Sequence, residues 1–89
     1  MSNTKPEPTR VVMLGARVLT KADVMDRFAL RLGFPPWFGR NWDALADSLA
    51  EAAAKRHIIV QFEDCDLDRD TMRTLMTILE DVHIEVSGQ

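Results

Sequence analysis

Asp43, Asp47 and Glu51 stand four residues apart. On a helix they share one face, where like charges repel by a few tenths of a kcal/mol per pair. Only the ends of this row have a cation within helical reach: Arg40 lies three residues before Asp43, and Lys55 four after Glu51. Asp47 has Ala44, Ala50 and Asp43 as helical neighbours, with no cation among them. A helix N-terminus favours Asp43 strongly, but that field has weakened by Asp47. Ala50 and Ala54 continue the face, so no long side chain holds another surface away. Two such carboxylates could serve as general acid and base, yet a convex helix offers no water-excluding cleft to set their pKa values apart. Recognition of cations is the chemistry the row suits, with an ordinary solvated face as the other reading. The preceding loop contains Trp37 and Phe38, which the helix stripe does not explain. An aromatic beside unpaired acids has the layout of a binding hot spot, whereas a lid over a small core is the alternative for Trp37.

The remaining reactive side chains form no machinery. The run DCDLDRD (64–70) invites comparison with a calcium loop, but Arg69 and Leu75 occupy the positions where an EF-hand needs glycine and glutamate. Asp66, Asp68 and Asp70 fit a helix start instead, where carboxylates satisfy free N–H groups. His57 and His83 lie away from any nucleophile motif and read as structural or solvated. Cys65 sits among carboxylates that raise a thiol pKa, which opposes nucleophilic use. Being the sole cysteine, it forms no internal disulfide and anchors no cysteine-rich zinc site.

A chain of 89 residues, 46% hydrophobic and 28% charged, makes one domain. It buries only about 60–65% of its unfolded surface, so a deep enclosed pocket would use interior needed for stability, which counts against most enzymes. No apolar run is long enough to cross a bilayer, and MSNTKPEPTR lacks the apolar stretch of a secretion signal; a cytoplasmic protein is expected. The net charge of -3 is uneven: residues 1–33 contribute +3 and residues 34–89 contribute -6. Such a field repels nucleic acid and attracts a basic surface.

Residues 1–9 read as a disordered N-terminal arm, and 10–89 as the folded domain. RVVML (10–14) is expected to form a strand buried on both faces, closed by Gly15. Thr20 caps a helix with Val24, Phe28, Leu30 and Leu32 inward, and Gly33 ends it. GFPPWFGRN interrupts the helical pattern. Asn41 then caps a second helix to about Lys55, whose apolar stripe is Trp42, Leu45, Ala46, Leu49, Ala52 and Ala53. IIVQF (58–62) is a second strand, Asp66 or Asp68 opens a third helix, and HIEV (83–86) reads as an edge strand. The order β, α, α, β, α, β with long crossovers implies an α/β fold, a three-stranded parallel sheet with helices packed against it.

With these elements in place, the sequence resembles the barstar family, intracellular inhibitors of small secreted microbial ribonucleases. The resemblance spans RVVML and Gly15, then LGFPPWFGRNWDALADSL (32–49), IIVQF and the last helix. Its most specific part is P-x-[aromatic]-[aromatic]-G-x-N-x-D-A-L-x-D, present from Pro35 as PPWFGRNWDALAD. The resemblance implies strand order 1-2-3 and no cofactor, beside the residues' own reading of no metal site and no catalytic residues. It implies that Asp47 enters the ribonuclease active site in the place of a substrate phosphate, while Asp43 pairs with a neighbouring basic residue. Trp37 matches an aromatic that packs against the catalytic histidine; Phe38, Gly39 and Asn41 fall in the same contacting loop, and Glu80 matches a further acidic contact. The implied partner is a basic secreted ribonuclease or related toxin, rather than nucleic acid or membrane, met by an inhibitor that is monomeric when free. Arg40 stands where the best-known member has an acid, Ala46 where it has a tryptophan, and Trp42 replaces a leucine. The connection after Phe62 is shorter, so a small extra helix of that relative is expected to be absent. A reversed charge at an interface rim alters partner choice and association rate. An immunity or binding module for a different basic toxin, or for a partner that is not a nuclease, is therefore the second reading.

Overall fold

The computed structural model describes residues 9–88. Its elements are β1 (Arg10–Leu14), α1 (Lys21–Leu32), α2 (Trp42–Lys55), β2 (Ile58–Phe62), α3 (Arg69–Asp81) and β3 (Glu85–Gly88). The sheet order is β1-β2-β3, and both pairings are parallel. The expected arm, apart from Thr9, lies outside the described residues.

Local chemistry at the helix ends explains their placement. The Thr20 hydroxyl accepts from the Asp23 N–H at 3.2 Å, while the Asp23 carboxylate accepts from the Thr20 and Leu19 N–H groups at 3.1 and 2.9 Å. Those backbone donors hold the Asp23 carboxyl below the usual carboxylate range. At the other end of α1, Gly33 takes a left-handed φ of 70°, and the N–H groups of Gly33 and Phe34 both donate to the Ala29 carbonyl. Asp68 caps α3: its carboxylate accepts from the Thr71 hydroxyl at 2.6 Å and the Thr71 N–H at 3.2 Å, which lowers its pKa in that order of importance. This acid therefore serves the helix start, and among the described residues no cluster of three or more His, Cys, Asp or Glu is arranged to hold a metal ion. No helix separates Phe62 from α3, and no helix of the described residues is long and apolar enough to cross a membrane.

Register puts the core on one face of the sheet. Val12 lies opposite Val60 and Leu14 opposite Phe62, and all four are buried with Ile58. Onto them pack Val24, Met25 and Phe28 of α1, Leu45 and Leu49 of α2, and Leu75, Ile78 and Leu79 of α3. Val11, Met13 and Ile59 on the opposite face are only half-buried. The expectation that RVVML is buried on both faces is thus corrected: the strand alternates. Leu30 is also corrected, being 77% exposed. It follows Phe28 by two residues, about 200° around a helix, so the position it was assigned belongs to Met25.

The last strand begins two residues later than HIEV predicts. The His83 N–H donates to the Glu80 carbonyl and the Ile84 N–H to that of Leu79, with His83 in the left-handed region at φ 62°. This pair of bonds is a helix-closing motif usually built on glycine. It retains His83 and buried Ile84 for the end of α3, and β3 starts at Glu85.

Candidate functional site

The site grows from the loop 34–41 and the exposed face of α2. Phe34 and Phe38 pack partly buried against the core, their ring centroids 4.9 Å apart and tilted by 57°. With these two rings anchored, the loop projects Trp37, which is 81% exposed. Trp37 is no core lid. The sequence reading coupled Phe38 with Trp37; here the first ring faces inward and the second outward.

Gly39 lets the loop lie close on the helix start, since a Cβ there would come within 3.2 Å of the Asn41 side-chain amide and 3.3 Å of the Ala44 methyl. Asn41 closes the turn, its side-chain oxygen accepting from the Ala44 N–H at 2.8 Å. Replacing Asn41 by alanine is expected to cost about 1 kcal/mol of stability through the lost cap. A lowered urea midpoint with an unchanged slope would register it.

From this start α2 turns Asp43, Asp47 and Glu51 outward, all exposed, with Leu45 and Leu49 buried on the opposite side. None of these three carboxylates has a hydrogen-bond or ion-pair partner among the described residues. The sequence spacing offered Arg40 as relief for Asp43, and here the structure differs. Arg40, in the left-handed region at φ 58°, forms its ion pair with Asp26 of α1. Lys21 of α1 sits 5.6 Å from the centre of the Trp42 ring and forms no ion pair with the row. The three carboxylates thus have no ion pair among the described residues, with Lys55 one turn beyond Glu51 as the cation at the end of the row.

One wall of a shallow groove, of about 480 Å³, includes Phe34, Pro35 and Trp37; Ser48, Glu51 and Lys55 belong to the other. The structure therefore brings Trp37 and Glu51 together at one groove. Glu51 was the acid the sequence reading did not include among site residues, although its four-residue spacing from Asp47 already marked it. Glu80 stands exposed near the end of α3, which packs against α2. Neither histidine joins this arrangement: His57 meets Glu85 at 2.7 Å across the sheet start, and His83 closes α3. Cys65 is apart as well, its thiol pKa raised by burial first and by the Asp66 charge after the Leu67 N–H has partly opposed it.

A small parallel α/β domain thus presents to solvent a convex acidic helix and, beside it, an exposed tryptophan. The chain belongs to the barstar family: the family model described as Barstar (barnase inhibitor) matches residues 9–89. That is an inhibitor family, directed at barnase-type ribonucleases. No curated protein matches the chain.

Proposed function

We propose that this chain inhibits a small basic ribonuclease by laying α2 across the enzyme's active site. Asp47 takes the place of a substrate phosphate among the enzyme's cations, Asp43 pairs with a neighbouring basic residue, and Trp37 packs on the catalytic histidine. Phe38, Gly39 and Asn41 hold the contacting loop, and Glu80 adds an acidic contact from α3. The observation that carries this reading is the row of carboxylates without partners among the described residues, beside an 81% exposed tryptophan. Charges solvated at home and neutralised on docking gain charge-assisted hydrogen bonds at little internal cost. The partner supplies the cleft, so the inhibitor needs none. Action as a monomer in the cytoplasm completes the reading.

Titration of a small secreted microbial ribonuclease with this protein tests it. Hydrolysis is expected to fall to zero near one equivalent, and tryptophan emission to shift to the blue as Trp37 leaves water. Full activity and unchanged emission at micromolar concentrations of both proteins would overturn the reading.

Arg40 favours a second reading, an immunity protein for a different basic toxin. It stands at the rim of the acidic face where the best-known relative has an acid, and its pairing with Asp26 leaves that rim position without negative charge. Affinity capture that recovers only a partner without nuclease activity distinguishes this from ribonuclease inhibition.

A further inference from the structure

We propose that the outer edge of β3, with the groove beside it, takes up an extended peptide of alternating apolar and cationic side chains as a fourth strand. β3 is last in the sheet, and all its residues are exposed. The ladder determines which backbone groups are open. Arg10 donates to the His57 carbonyl and Glu63 to the Leu14 carbonyl, so odd-numbered residues of β2 bond toward β1 and even-numbered ones toward β3. With Val60 opposite Val86, the backbone groups of Glu85 and Ser87 face β2, whereas the Val86 N–H and carbonyl point outward. No described residue bonds to them.

The other edge of the sheet is different. The Arg31 guanidinium donates to the Val11 carbonyl at 3.4 Å, and Arg10 donates to the Arg31 carbonyl at 3.2 Å, which ties α1 to the outward carbonyl of Val11 on β1. Among the described residues β3 has no such cover, and it lacks the lysine, proline or bulge that commonly guards an edge.

Chemistry beside the strand defines the occupant. Phe62, Cys65, Met72, Met76 and Val86 line an open groove of about 780 Å³. Methionines adapt their shape to an incoming apolar side chain. The charged residues of the lining are Glu63 and Asp64, with no cation among them. Neither carboxylate has an ion pair or hydrogen bond within the described residues. A strand added at Val86 gains main-chain bonds, while its alternate side chains meet the methionines and the acids. A second copy of this chain fits less well, because its net charge is -3 and its own β3 brings Glu85 and no cation. The surface shares no residue with the α2 site, so the proposal stands apart from ribonuclease inhibition.

The test is a titration of isotope-labelled protein with an eight-residue peptide alternating valine and lysine, followed by NMR. Its valine–glutamate counterpart and a version interrupted by prolines serve as comparisons. The valine–lysine peptide alone is expected to shift the Val86 and Gly88 amides and the Met72 and Met76 methyls, with saturation. Val86→Pro removes an N–H that the β2 ladder does not use, and is expected to weaken binding at least tenfold. Glu63→Gln with Asp64→Asn is expected to weaken it several-fold, and decides the matter should the proline variant fail to fold. No shift at millimolar peptide, equal binding of the glutamate peptide, or unchanged affinity in the folded variants would overturn the proposal. So would shifts of the same amides that grow with protein concentration in the absence of peptide, which assign the edge to a second copy.

Discussion

Asp47→Ala is expected to weaken inhibition of a small basic ribonuclease at least a hundredfold. That corresponds to about 3 kcal/mol, within the range of buried charge pairs at other interfaces, this family's own best-known pair included. The loss is large because docking removes the enzyme's phosphate-binding cations from water, and without Asp47 they stay there unpaired. The fold responds in the opposite direction. Asp47 has no partner among the described residues to lose, alanine is the better helix former, and its repulsion with Asp43 and Glu51 disappears. A slightly raised urea midpoint together with a greatly raised inhibition constant is therefore the signature, and Asp47→Asn separates charge from shape. Equal inhibition by wild type and Asp47→Ala would remove Asp47 from the interface.

Phe28→Ala is expected to be the most damaging substitution for the fold itself. Its ring is completely buried in the single core, and truncations of this kind cost about 3–5 kcal/mol. A domain of this size holds only about 5–13 kcal/mol in total, so the change consumes a large share of it. The thermal midpoint should drop by roughly 15–30 °C, read by circular dichroism. Leu30→Ala on the same helix is the matched comparison: at 77% exposure it is expected to move stability by less than about 0.5 kcal/mol. The two substitutions differ in position around one helix far more than in residue chemistry.

Much of the architecture was legible because its signals are local. Thr20, Gly33, Asn41 and Asp68 each mark a helix end through a side chain or φ angle that few residues supply, and the structure has them as caps. IIVQF is bounded on both sides by polar residues, so its limits were plain. The closure of α3 was hidden because a histidine takes the left-handed position that a sequence reading awaits from glycine. Leu30 misled because hydrophobicity was counted without its angle around the helix. At the candidate site, spacing alone aligned Asp43, Asp47 and Glu51. It did not reveal that Arg40 would pair with Asp26, since that contact joins the loop to a helix fourteen residues back in the chain. Nor does periodicity say which of two adjacent aromatics turns outward; the Phe34 ring, by holding Phe38, decides it for Trp37.

Arg31, lying across the outside of β1, also bears on how far this sheet can grow. Polymers built edge to edge need two complementary edges on every copy, one to receive and one to offer. Here a guanidinium from the protein's own helix takes the outward Val11 carbonyl of the first edge, whereas no described residue bonds to the outward groups of Val86 on β3. A second molecule paired β3 to β3 leaves only β1 edges outward, so any further addition has to displace Arg31 from the Val11 carbonyl. Arg31 thus sets a cost on edge-to-edge growth at β1 that β3, as far as the described residues go, does not carry.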